Sequence, residues 1–132
     1  MKGKKMKGKK NITLMSEEGA TLSSGSLRLY ALPYGCIDLY NYDPLNRRCA
    51  VGIMVASEYR REGYALAMLQ ALERQLAASL HTLYADIAAT NTASLALFQK
   101  AGYQQVGCFR EWLVVDDKYI DTIRVQKILK EA

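Results

Sequence analysis

The chain has 132 residues, half of them hydrophobic, and a formal net charge of +5. That length supports one domain with a real core and excludes two ordinary ones. The charge does not make a basic protein: residues 1–10 hold six lysines and no acid, so the remainder is close to neutral, and a nucleic-acid role would rest on that tail alone.

The basic start could open an export signal, but Thr13, Ser16, Glu17 and Glu18 stand where a continuous apolar stretch is required. No run approaches the roughly 18 apolar residues of a membrane span. The expectation is a soluble, cytoplasmic chain without membrane association, with residues 1–25 a flexible basic tail and loop and residues 26–132 the folded domain. Cys36, Cys49 and Cys108 are odd in number and lack CxxC spacing, and His81 is the only histidine. Reduced thiols are expected, with neither a disulfide framework nor a metal site.

Residues 26–32 alternate apolar and polar, as do residues 36–42, and Pro33-Tyr34-Gly35 between them is turn-forming, so a hairpin is predicted. Asp43-Pro44-Leu45-Asn46 ends the second strand, and residues 49–56 read as a buried third. From residue 63 to 80 the period changes: Leu66, Leu69, Leu72, Leu76 and Leu80 fall three or four apart, predicting a long amphipathic helix. Residues 83–89 return to strand character. Residues 92–101 predict a shorter helix with Leu95 and Phe98 inward and Gly102 as its left-handed cap. Residues 106–115 and 119–129 are strand-rich around Asp116-Asp117-Lys118, a tight turn. Strands bracketing a central βαβα unit give an α/β (α+β) fold with ligand binding at the carboxyl ends of the central strands.

Arg60-Arg61-Glu62-Gly63-Tyr64-Ala65 lies between the third strand and the long helix, where loop amides meet the positive end of the helix dipole. Gly63 allows close approach of a phosphate, Ala65 keeps the next position small, and Arg60 and Arg61 add charge. One strand further on, Asn91 opens a segment running through Ser94, Leu97, Phe98, Lys100, Gly102 and Tyr103.

The two segments resemble the signatures of the GNAT N-acetyltransferase family. Gln or Arg, two residues, Gly, one residue, then Gly or Ala is matched by Arg60, Gly63 and Ala65. Asn91, Ser94, Leu97, Phe98, Lys100, Gly102 and Tyr103 match the branch similar to ribosomal-protein-alanine and polyamine (spermidine) acetyltransferases. The resemblance covers roughly residues 26–129. It implies a mixed, mainly antiparallel sheet around the βαβα unit, and acetyl-CoA as acetyl donor to a primary amine: a protein N-terminus, a polyamine or another small amine.

By resemblance, the backbone of Ile53, Met54 and Val55 would pair with pantetheine. Arg60, Arg61, Glu62, Gly63, Tyr64, Ala65 and Leu66 would hold the pyrophosphate. Asn91 would bond the pantetheine arm, with Ser94, Phe98 and Lys100 completing the coenzyme set. Position alone explains Asn91 as a helix N-cap, and the two roles can coexist.

Three departures follow. Phe98 stands where relatives place a tyrosine able to protonate the departing thiolate. Ala50 stands where a glutamate often serves as base, leaving Asp38, Tyr40, Asp86 and Glu111 as weak candidates for catalytic relays. The strand and two helices that ordinarily precede the hairpin shrink to residues 11–15 and a loop at 16–25, so the first two helices are missing. Three explanations stay open: an enzyme with an open acceptor groove, a partner that supplies the wall, or a coenzyme-binding module without turnover and with a regulatory or interaction role. The long C-terminal strands present edges that a homodimer would cover.

Overall fold

The sheet has six strands in the order β1-β2-β3-β4-β6-β5. They are β1 (Leu27–Ala31), β2 (Gly35–Asp43), β3 (Arg48–Val55), β4 (Thr82–Ala88), β5 (Gln104–Val115) and β6 (Lys118–Ile128). Helix α1 (Tyr64–Leu76) joins β3 to β4, and α2 (Thr92–Lys100) joins β4 to β5. The computed structural model describes residues 10–129. All neighbouring strands are antiparallel except β3 and β4, so the predicted mixed, mainly antiparallel sheet around a βαβα unit is the observed one.

Each element predicted from residue 26 onward is present, and the turns explain the register. The β1–β2 hairpin pairs Ala31 with Gly35 across Leu32-Pro33-Tyr34. Gly35 is required because a Cβ there would run into the Met54 carbonyl oxygen of β3. Asp43 stops β2 by binding both the amide and the side chain of Asn46 at 3.0 and 2.9 Å. At the β5–β6 turn Asp116 and Asp117 both take positive φ, 53° and 63°, the two-residue geometry that matches strand twist.

The long helix ends at Leu76 rather than at residue 80. Its last apolar position survives as an anchor: Leu80 is 1% exposed, and its amide returns to the Leu76 carbonyl. The Arg47 guanidinium takes the carbonyls of Ala78 and Ser79, which a continued helix would have used.

Leu29, Ile37, Leu39, Val51, Leu83, Ala85, Ile87 and Val125 point to one face of the sheet, where α1 adds Met68, Leu69 and Leu72 and α2 adds Phe98. The opposite face carries Arg28, Tyr30, Asp38, Tyr40, Tyr84, Asp86 and Arg124, by strand alternation. No described helix covers it. Residues 17–21 instead wall a groove of about 590 Å³ over Arg28, Tyr30, Asp38 and Tyr40.

The expected tail-and-loop segment 1–25 is more ordered at its end than a free tail. Leu14 is 6% exposed in the core, Ile12 packs beside it, and Met15 exchanges both backbone bonds with Tyr30, at 3.0 and 2.7 Å. The strand expected over residues 11–15 is reduced to that single bridge. Apolar side chains, not strand pairing, hold it. The basic residues 1–9 lie outside the described residues.

Candidate functional site

The parallel strands β3 and β4 pair only over Arg48–Thr82, Cys49–Leu83 and Ala50–Tyr84. Beyond that vertex they diverge, leaving the edge of β3 through Ile53, Met54 and Val55 unpaired on that side among the described residues. A ligand with amide groups can occupy such an edge as an extra strand would.

The cleft opens toward the loop before α1. Gly63 is the N-cap with φ 86°, a left-handed conformation, and makes no side-chain cap; no acid lies in the first turn. Arg61 is also left-handed, φ 64°. Among the described residues, no hydrogen bond of normal geometry ties up the amides of residues 61–66. Two left-handed residues, Arg61 and Gly63, ahead of an uncapped 13-residue helix leave a run of amide donors suited to an anion. Arg60 braces this loop, its Nε donating to the Val55 carbonyl at 3.0 Å. Tyr64 stacks on Tyr34 at 4.1 Å between centroids, and Tyr59 meets both rings edge-on. Glu62 is exposed, while Ala65 and Leu66 are half-buried, Leu66 against the core.

At the far mouth, Asn91 caps α2, its side-chain oxygen accepting from the Ser94 amide at 3.1 Å. That assignment leaves the Asn91 amide nitrogen free to donate outward. Lys100 is exposed in the last turn, and Phe98 is 2% exposed, its ring edge-on to Tyr103 at 4.9 Å. Of the expected coenzyme set, Phe98 is a core residue and Lys100 lies at the end of α2 remote from Asn91, while Ile53, Met54 and Val55 form the open edge of β3 and residues 60–66 the loop and first turn at α1.

Tyr40 and Tyr84 flank Ala50 at the vertex, on the open face. Burial, with Asp86 and Tyr84 nearby, raises the Tyr40 pKa, so its phenol stays protonated and can give a proton but not take one. Asp86 is held by Arg124 through two bonds, 2.8 and 2.9 Å, with the guanidinium between the rings of Tyr84 and Phe109 at 4.5 and 5.2 Å. Asp38 is held likewise by Arg28, and these hydrogen bonds keep its carboxyl below the usual range. Asp38, Tyr40 and Asp86 thus share one face near the vertex.

Glu111 does not join them. It sits on the edge strand at a bulge, φ 51°, where its amide donates to the Asp121 carboxylate at 2.8 Å. Trp112, the neighbour of Glu111, is 64% exposed and leans on Phe109. Cys49 is buried, its thiol pushed up to about 11 by desolvation, which removes it as a nucleophile at neutral pH. Sequence reasoning missed Tyr84 and Arg124. Tyr84 shares the period-2 phase of Asp86 and could have been found from it. The partnership of Asp86 with Arg124, 38 residues apart, has no local signal.

The sheet is parted between two parallel strands, with an uncapped helix N-terminus at the opening. The acetyltransferase (GNAT) domain family matches residues 15–104, and the chain belongs to that family. No curated protein matches the chain by sequence. Among solved structures, a mutant of spermidine N-acetyltransferase SpeG from Vibrio cholerae superposes with a TM-score of 0.72 at 20% identity, over 80% of this chain and 65% of that one. The ribosomal alpha-N-protein acetyltransferase RimL without ligand gives a TM-score of 0.76 at 16% identity, over 83% and 73%. RimL in complex with coenzyme A gives 0.75 at 17%, over 81% and 64%. At these identities the likeness concerns the fold, and this chain spans somewhat under two thirds of the SpeG chain.

Proposed function

We propose that this chain transfers an acetyl group from acetyl-CoA directly to a primary amine. The observation that carries the proposal is the continuous path from the open amides of residues 61–66, along the unpaired edge of β3, to the tyrosines at the vertex. The coenzyme would supply an activated thioester carbonyl. The loop amides would bind its pyrophosphate, Ile53, Met54 and Val55 its pantetheine amides through their backbone, and the Asn91 side-chain nitrogen a further carbonyl. Tyr40 would stand in for the hydroxyl that Phe98 lacks, because its phenol is held in the donating form.

The acceptor is argued from the same face. Both strand carboxylates near the vertex are closed by arginines, so neither is a free base. An α-amino group, with a pKa of about 8, needs less help losing its proton than a lysine at about 10.4. That favours a protein N-terminus over a polyamine. Three thiols without disulfides suit a reducing compartment, and we place the activity in the cytoplasm. No described helix is long and apolar enough to cross a membrane. A homodimer is proposed through β5, the outer strand of the sheet, beside which Val106, Val114, Val115 and Tyr119 are at least half exposed. Solution mass rising to twice the monomer with concentration supports it; a monomer throughout removes it.

Calorimetric titration with acetyl-CoA is the test. Saturable binding near one per chain, lost in a folded Gly63→Trp variant, supports the site; unchanged binding by that variant refutes it. The second reading is a coenzyme-binding module without turnover, favoured by Ala50 and Phe98. Steady acetylation of any amine removes it, whereas binding without turnover across peptide and polyamine acceptors establishes it.

A further inference from the structure

The groove of about 590 Å³ on the open face lies apart from the coenzyme path but meets it at one residue. Tyr40 lines the groove and also stands opposite Ala50 at the vertex, so one phenol belongs to both. From Tyr40 the lining continues over Asp38, Arg28 and Tyr30. Met15 pairs with Tyr30 on the side of β1 away from β2, which brings Glu17, two residues later, to the outer wall. Asp38 is closed by Arg28 at 2.6 and 2.8 Å, so those two charges cancel. The exposed Glu17 side chain has no hydrogen bond or ion pair among the described residues. The groove therefore carries a net negative charge beside the rings of Tyr30 and Tyr40, a setting that favours a cation with an apolar stem.

We infer that this groove selects the acceptor, taking a peptide N-terminus with a basic residue near its third position. This rests on the acetyl-transfer reading above. The reacting amine has to reach the vertex beside Tyr40, and the rest of the acceptor then has to lie along the groove that Tyr40 opens. Asp38 is two residues from Tyr40 on β2, about 7 Å along an extended strand, and the third residue of an extended peptide lies as far from its own amine. A lysine or arginine there can lay its stem on the tyrosine rings and bring its charge to Glu17. Exposed charges act over a Debye length of about 10 Å at 0.1 M salt, so the preference should be largest at low salt.

The test is calorimetric titration of the full chain with short amidated peptides that differ only in Lys, Gln or Glu at the third position, followed by acetylation assays on the same peptides. The Lys peptide should bind about threefold more tightly than the Gln peptide at ~50 mM salt, with the Glu peptide weakest and the gaps closing near 0.5 M. E17Q should remove the preference and E17K should reverse it, whereas E18Q, whose carboxylate does not line the groove, should keep it. Loss of folding cannot mimic a reversed ranking. A ranking that E17K leaves unchanged, or no peptide binding at all, would overturn the inference. Steady acetylation without preference among the peptides would overturn the groove and keep the transferase; the expected ranking with no acetylation would keep the groove as a peptide site and overturn the transferase. A linear diamine bound more tightly than the Lys peptide, with the same dependence on Glu17, would overturn the peptide and assign the groove to small amines.

Discussion

On its helix-covered face the sheet holds Ile37, Leu39, Val51 and Leu83 at 2% exposure or less; on the other, Arg28, Tyr40, Tyr84 and Arg124 remain at least partly exposed. The same strands supply both sets by alternation, so neighbours in sequence belong to different environments. The covered face is held by apolar burial that no single polar contact controls. The other is organised by two bidentate arginine–carboxylate pairs and by rings stacked on a guanidinium. Stability therefore resides mainly on one face, which leaves the other free to carry chemistry.

Adjacent residues in β4 put this contrast to its strongest test. Leu83→Ala should cost about 3 kcal/mol in urea unfolding, by lost transfer energy and an unfilled cavity. Tyr84→Ala, one residue on and facing the other way, should cost no more than about 1 kcal/mol. Equal losses would mean that the open face is covered in solution, by a second copy or by another chain.

A test with a pH signature follows from the groups that burial keeps neutral. Cys49 is pushed up to about 11 from its ordinary value of 9.0, and desolvation also raises Tyr103 and Tyr40. Each gains stability from its neutral form in the fold. That contribution is whole below the unfolded pKa and is lost as pH climbs through the folded one. Stability should fall from about pH 9 to pH 11, by on the order of 2 kcal/mol for Cys49 alone. Cys49→Ala should flatten that slope. An unchanged slope would move the effect to the buried phenols.

Asn91→Ala brings the comparison to the cleft, since Asn91 serves both the fold and the proposed site. Losing the cap on the Ser94 amide should cost about 1 kcal/mol in unfolding. Acetyl-CoA affinity should fall as well, measured by titration at a temperature where the variant is folded. Stability lost with affinity unchanged would confine Asn91 to capping.

Much of this organisation is local and was therefore legible in the chain. The change of period at residue 63, the turn at Asp116-Asp117 and the left-handed cap at Gly102, φ 97°, are each decided by a few neighbouring residues. The loop before α1, proposed here to bind an anion, was legible for the same reason, because Gly63 and the start of α1 are adjacent in sequence. Other features depend on which strands become neighbours. The cleft exists because pairing of β3 and β4 stops at Ala50 and Tyr84, and no motif in either strand announces that. Phe98 lies within a family signature, yet the inward face of α2 directs it into the core beside Tyr103. Leu14 was read with the tail because five isolated residues carry too little period to reveal a core contact.

The smallest expected effect concerns the two ion pairs, which share a geometry and differ in their surroundings. Arg28 and Asp38 are 49% and 43% exposed, with no ring over the guanidinium among the described contacts; Arg124 and Asp86 are 37% and 32% exposed, with the guanidinium between two rings. Solvent screening should hold the coupling of the first pair, in a double-mutant cycle of Arg28→Leu and Asp38→Leu, close to zero. The second cycle, Arg124→Leu with Asp86→Leu, should read higher, near 1 kcal/mol, because the rings exclude water from one partner. Asp38 has its pKa lowered by Arg28, so its contribution is complete above the unfolded carboxyl value near 3.9 and fades as pH falls through the lower folded value. Repeating the first cycle at successively lower pH should therefore show any coupling fade as pH falls. A coupling at pH 7 as large in the first pair as in the second would show that the groove walled by residues 17–21 shields Arg28 as the rings shield Arg124, and that loop would then count as part of the site.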